Sequence, residues 1–201
     1  MPDPFDRPAS IPAFALFALL PGILLIAACL WGGGWIWAAL VWMGGASQIV
    51  DTLIARGFAD PGQDEVPPLT DALSVGLAGL HFLLLGLGLA ALVGDMGAAS
   101  RVALFLGLGM FFGQVSNSNA HELIHRGGRG LFRLGAAVYV TLLFGHHTSA
   151  HRLVHHRHVA TGLDPNSARL GQSFWHFLPR ALLGSFRAGL VAERALSAAK
   201  P

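Results

Sequence analysis

Four long apolar stretches, at residues 11–30, 33–54, 72–94 and 101–115, take up most of the first half of the chain. A helix of about 20 residues crosses roughly 30 Å of hydrocarbon, and the stretches read as spans on that measure. Composition agrees: of 201 residues 53% are hydrophobic and only 12% charged, where a typical soluble domain has about 25% charged. The expected fold class is all-α, a polytopic membrane protein with about four transmembrane helices at 11–115. A histidine-rich region at 116–169, with membrane-edge and cytoplasmic helices, and an amphipathic tail at 170–201 complete a single domain over 1–201.

Residues 1–10 form a short polar lead with Pro2, Pro4 and Pro8, and Gly32-Gly33-Gly34 makes a tight hairpin between the first two spans. A secretory signal competes for the first run, and Ile26-Ala27-Ala28-Cys29 looks like a lipoprotein cleavage box. Asp3 and Asp6 against Arg7 give a poor positive leader, however, so the run reads as a retained span. Cys29 is the single cysteine and forms no intrachain disulfide. Residues 56–71 are an acidic, proline-containing loop.

Ten of the thirteen basic residues lie at or after Arg126, which points to one membrane face and away from nucleic acid. With the N-terminus cytoplasmic, Arg7, Arg56 and the basic C-terminal third share one side, and only Arg101 falls on the other. This predicts a multi-pass protein of a bacterial-type inner membrane, with the histidine clusters cytoplasmic and lipid as its surroundings.

Eight of the ten histidines fall within residues 117–169. In His121-Glu122-Leu123-Ile124-His125 the histidines stand at i and i+4, on one helical face, at the spacing that chelates a metal ion. A second cluster runs from His146 to His158. On a helix His147, His151, His155 and His158 share a narrow face, with His156 turned toward a neighbour. Residues 131–158 read as one further helix, and 174–196, with Arg180, Arg187 and Arg194 among aromatics, as an interfacial amphipathic helix. His81, alone in the middle of a span, reads as a histidine hydrogen-bonded between helices.

Imidazoles in this number suit iron, copper, nickel or zinc. His121-Glu122-x-x-His125 matches the zinc metallopeptidase pattern, in which the glutamate activates water. Tetrahedral zinc needs one further ligand, whereas His151, His155 and His156 offer three, which favours a polynuclear or six-coordinate site. A solvated, pH-responsive set of surface histidines is the structural alternative.

The two boxes, Asn119-Ala120-His121-Glu122-Leu123-Ile124-His125-Arg126 and His151-Arg152-Leu153-Val154-His155-His156, resemble those of the alkane 1-monooxygenases within the membrane fatty acid desaturase and hydroxylase superfamily. Residues 159–169 resemble the stretch after the second box in that family. The chain departs from the family at Ala150, where a glutamate is usual, and at Val154, where a glycine is usual. The resemblance implies two non-haem irons held by His121, His125, His151, His155 and His156. It also implies an alkane or fatty-acyl substrate, hydroxylated or, in the alternative, desaturated, and electrons from a rubredoxin- or ferredoxin-type carrier.

Glu122 is the candidate catalytic residue. Glu122 and Asp164 are candidates to accept the far N–H of a ligating imidazole, with Asn117 and Asn119 behind them. Phe105, Phe111 and Phe112 are candidate lining for an apolar channel, and Arg126, Arg152 and Arg157 for a lipid-facing rim or a carrier's docking patch. A third box with a paired His-His does not occur in residues 1–201, so the resemblance implies the N-terminal part of such an enzyme, inactive alone.

Overall fold

A computed structural model describes residues 11–49, 52 and 70–199, among which all regular structure is helical. The polar lead 1–10 and all of the acidic loop up to residue 69 lie outside the described residues. Two compact units form, Met1–Leu123 and Ile124–Pro201, so the division falls within the histidine-rich region.

In the first unit α1 (Ile11–Trp31) ends on Gly32 and Gly33, both at positive φ (62° and 56°), a turn that glycine adopts without steric cost. Helix α2 (Gly34–Val41) follows and continues through a π turn at Trp42–Ala46. Helix α3 (Thr70–Val93) and α4 (Ala98–Phe111) come next. A second π turn, Phe112–Ser116, joins α4 to α5 (Asn117–His125), whose last two residues enter the second unit. Leu25, Ile36, Leu84, Leu104 and Phe111 form the core of the first unit. Small residues let the helices close on one another: a Cβ on Gly22 would meet Leu80 and one on Gly88 would meet Leu108.

Two stretches, Thr70–Val93 and Ala98–His125, are long and apolar enough to cross a membrane. Only 28% of each apolar window is buried, unlike the core helix of a soluble protein. Val93, Phe105 and Leu89 stand largely exposed, as lipid-facing side chains would. At 1.5 Å per residue the 28-residue stretch is about 42 Å long, longer than the hydrocarbon layer and close to the full bilayer with its headgroups, about 40–45 Å. Of the four expected spans two are of this class. The described apolar part of the first, Ala15–Trp31, is shorter, and the second is described only to residue 49.

The second unit corrects the expectation of one helix over 131–158. Helix α6 (Arg129–Thr141) stops, and α7 (His147–Ala150) begins after a turn. Leu143 takes φ 57°, its N–H bonds Val140 O (3.0 Å), and Phe144 N–H bonds Tyr139 O (2.8 Å). These are the two bonds of a Schellman C-cap, with Leu143 where glycine is usual. Tyr139 and Phe144 make the accompanying hydrophobic contact, ring centroids 5.8 Å apart, which offsets the strain of a left-handed leucine. Helix α7 runs into a π turn at His151–His155 and a last turn, α8 (His156–His158).

Helix α9 (Phe174–Ala198) starts at Ser173, whose hydroxyl accepts from His176 N–H. It buries Ala181, Ser185 and Gly189 at four-residue intervals and exposes Leu182, Leu183, Phe186 and Val191.

Candidate metal centre

Why the second histidine cluster converges follows from its backbone. In a regular α-helix His156 would lie about 140° around from His151 and face elsewhere. The π turn at His151–His155 lengthens that turn by one residue and brings His156 back toward His151. Their Nε2 atoms stand 2.9 Å apart, with the rings edge to face. His147, His151 and His155 stack in a ladder, with centroids 4.9 and 5.1 Å apart, as the four-residue spacing requires. The shared face for these three is observed; His156 joins it only because of the π turn.

His125, at the end of α5, meets this cluster. Its ring centroid lies 5.1 Å from that of His151 and 4.9 Å from that of His156. His125 and His151 each offer a ring nitrogen, the two within 4.8 Å of one another. Two ligands of one ion, at roughly 2.1 Å each and at right angles, sit about 3 Å apart, so His151 and His156 already hold the spacing of a shared metal. His121 lies one turn before His125 on the same helical face, half-buried.

His155 is oriented by Asp164. Asp164 Oδ2 stands 2.8 Å from His155 Nδ1, which leaves the His155 Nε2 to coordinate. The loop after the box builds this acceptor. Ser167 Oγ donates to Asp164 Oδ2 (2.7 Å), Asn166 N–H to Oδ1 (3.0 Å), and Ala160 N–H to Ser167 Oγ (2.9 Å). Ala160, at φ 63°, turns the chain to make that last bond. Arg180 on α9 donates to Ser167 O (2.7 Å) and to Gln172 Oε1 (3.2 Å), tying the loop to the helix behind it. Burial pushes the Asp164 carboxyl up, but the hydrogen bonds from Ser167, Asn166 and His155 outweigh it and hold it below its ordinary range. Ser167 and Arg180 were not visible as site residues in the sequence, because neither stands at a regular spacing from the histidines.

Other candidates fall elsewhere. His147 stacks on Phe144, centroids 4.7 Å apart, and ends the ladder. His146 packs edge-on against Phe144 and Phe186, and burial pushes its imidazole pKa down. His158 closes the segment, its carbonyl accepting from Thr161 Oγ1. In the first unit His81 is wholly buried, its ring edge-on to Phe112 at 4.9 Å. Asn119 Nδ2 donates to Ser74 O (2.9 Å), so this side chain braces α5 against α3. Glu122 lines a cavity of about 380 Å³ with Leu73, Leu77, Val115 and Ser118. Phe105 is 64% exposed, while Phe111 is in the core.

Residues 98–201 match the family model described as fatty acid desaturase. The chain belongs to the fatty acid desaturase family. Its similar relatives are alkane 1-monooxygenases. Alkane 1-monooxygenase 1 of Alcanivorax borkumensis is 31% identical over 82% of this chain and 43% of its own length. The alkane 1-monooxygenase of Ectopseudomonas oleovorans is 31% identical over 83% of this chain and 43% of its own. That of Pseudomonas putida is 30% identical over 77% and 40%. The chain thus spans about two fifths of the length of these curated relatives.

One departure from the family pattern now has a physical setting. Ala150 is 1% exposed, and a Cβ on Gly189 of α9 would stand 3.1 Å from its Cβ. A glutamate at 150 has no room against α9 as packed here. Nothing in the structure explains Val154.

Proposed function

We propose that this chain carries two histidine boxes of a membrane-bound, non-haem diiron monooxygenase that hydroxylates alkanes or other alkyl chains. The observation that carries the reading is the 2.9 Å approach of His151 and His156 Nε2, with the His125 ring packed against both. Five imidazoles are assigned as ligands: His121 and His125 from the first box, by their i, i+4 spacing, and His151, His155 and His156 from the second. Five imidazoles exceed the three protein ligands and one water of a catalytic zinc, which favours iron over the metallopeptidase reading.

These side chains would hold two irons, and the chemistry the irons would supply is O₂ activation: with two electrons from a rubredoxin- or ferredoxin-type carrier and two protons, one oxygen atom enters a C–H bond and the other leaves as water. The protein's own part is to fix its donors. Asp164 keeps the His155 proton on Nδ1, and Ser167 and Arg180 keep Asp164 in place. The cavity in the first unit, with Leu73, Leu77 and Val115 on its wall, is assigned to the alkyl chain, and Glu122, on the same wall, to handling the proton. Four spans, with both histidine clusters on the cytoplasmic side of an inner membrane, complete the proposal. They rest on the asymmetry of basic residues.

Metal analysis of detergent-purified protein tests it. Iron is expected as the principal metal, with its content lowered in His151→Ala and His156→Ala. One tightly held zinc, dependent on His121 and His125 alone, would overturn the oxidase reading in favour of the peptidase.

A further inference from the structure

We propose that a pocket at the start of α6 binds the phosphodiester headgroup of an anionic phospholipid, a role separate from the metal chemistry. The pocket has a volume of about 380 Å³, and Arg126, Arg129, Arg133, Arg152, Phe132 and His125 line it. Among these, Arg129, Arg133 and Arg152 bring three like charges around one concavity, and these repel one another unless an anion sits between them. Arginine is the side chain whose planar fork meets phosphate oxygens two at a time.

Two further features aim the pocket at an anion. Helix α6 begins at Gly128, which supplies no side-chain cap, so the positive end of the helix is left to an external acceptor. Arg152 comes from the π turn of the second box, and its guanidinium lies over the Phe132 ring, 5.1 Å from the centroid. That stacking holds the charge in place and leaves its N–H edge available.

The two acidic side chains of this unit lie away from Arg129, Arg133 and Arg152. Residues 124–201 contain ten basic residues and only two acidic ones, Asp164 and Glu193. Asp164 is engaged with His155 and Ser167, and Glu193 accepts from Ser149 Oγ. Neither lines the pocket.

Two observations favour a lipid headgroup over an acidic protein. The site is a small concavity, whereas protein docking covers about 800 Å² per partner. It also begins at Arg126, the residue that directly follows the 28-residue stretch Ala98–His125, one of the two apolar enough to cross a membrane. Basic side chains at that point of a span meet the headgroup layer.

The test uses the full 201-residue chain in a neutral detergent, titrated with phosphatidylglycerol or phosphatidylcholine and read by native mass spectrometry. Phosphatidylglycerol should be retained about tenfold more strongly, because the choline cation of the other lipid is repelled. Arg129→Gln with Arg133→Gln should remove most of that preference. Arg152→Gln alone should lower it several-fold, and it keeps the test alive if the double variant misfolds. Arg129→Lys with Arg133→Lys should fall between, since point charge remains and the fork is lost. Arg187→Gln with Arg194→Gln on α9, an equal loss of charge, should leave it unchanged.

Equal losses in the pocket and α9 variants would reduce the effect to diffuse charge and overturn the proposal. Inorganic phosphate held as tightly as phosphatidylglycerol, with the same arginine dependence, would make this a free-phosphate site and also overturn it. So would a dependence on these arginines found for an acidic ferredoxin and not for the lipid.

Discussion

Asp164 holds His155 through a 2.8 Å contact between Oδ2 and Nδ1, and the carboxylate making that contact is 1% exposed. An imidazole has two nitrogens and one proton when neutral. The carboxylate decides that Nδ1 keeps the proton and that Nε2 presents its lone pair. A buried carboxylate would be costly without donors, and here Ser167 Oγ, Asn166 N–H and the histidine supply them.

Removing this acceptor should weaken metal binding without removing a ligand. Asp164→Ala is expected to lower metal affinity by about 10–100-fold, the usual cost of losing such a partner. Asp164→Asn, which still accepts through Oδ1, should lose less. Competition with a chelator of known affinity measures both. Wild-type affinity in the alanine variant would show that His155 needs no orienting group.

The same carboxylate predicts a pH dependence. Hydrogen bonds hold its pKa below the ordinary 3.8 despite burial. A group held low in the folded state stabilises the fold above its unfolded pKa, and that contribution is lost as pH falls through the folded value. The Tm advantage of the wild type over Asp164→Asn should therefore be constant from neutral pH to about pH 5 and shrink below about pH 4. Thermal melts of the two proteins across this range decide it. An advantage already gone at pH 6 would assign the stabilisation to another group.

Helix α9 backs the second box through Gly189. A Cβ there would lie 3.2 Å from Ala150 N and 3.3 Å from His146 O, backbone atoms that cannot rotate away. Glycine to alanine inside a helix ordinarily gains up to about 1 kcal/mol, while overpacking costs about 1–3 kcal/mol. Gly189→Ala should therefore lower Tm slightly. Gly189→Leu should lower it further and also loosen the metal, because Ala150 directly precedes His151. A rise in Tm for the alanine variant would show that α9 does not press on the box.

How much of this was legible in the sequence depends on whether a feature follows a regular period. The pair His121 and His125 and the ladder His147, His151 and His155 were readable, because i, i+4 spacing survives in any helix. His156 was readable as a candidate ligand, but its return toward His151 was not, since that needs the π turn at His151–His155, and no residue type marks where a helix gains an extra residue. The break after α6 was hidden for a similar reason: its left-handed position holds Leu143 instead of glycine, and only the Tyr139–Phe144 contact reveals the cap. The Asp164 loop was flagged by its turn residues, but its anchor Arg180 lies thirteen residues beyond Ser167, on another element.

Topology is open to a direct check. Four spans with the N-terminus, the 55–71 loop and both histidine clusters cytoplasmic predict that a reporter fused after Gly128 is active only as a cytoplasmic fusion. Strong activity of a periplasmic reporter at that point would reverse the orientation. It would also place the proposed ligands on the side away from a cytoplasmic electron carrier.

The 201-residue polypeptide should bind metal below full stoichiometry. Two six-coordinate irons present twelve positions, and the five assigned imidazoles, His121, His125, His151, His155 and His156, fill fewer than half of them. Water would occupy the remainder, and each water is a weaker hold than an imidazole. Within the cluster His156 is exposed, so solvent and chelators reach the site directly. The purified chain is therefore expected to hold less than two irons, to lose them readily to a chelator, and to oxidise no alkane or fatty-acyl chain when given O₂ and a reduced ferredoxin. Iron content before and after chelation, with product analysis by gas chromatography, measures all three. Turnover by this polypeptide alone, free of other histidine-rich proteins, would sink the prediction. It would mean that further ligands come from a second copy of the chain, and mixing His121→Ala and His156→Ala chains would then be the next measurement.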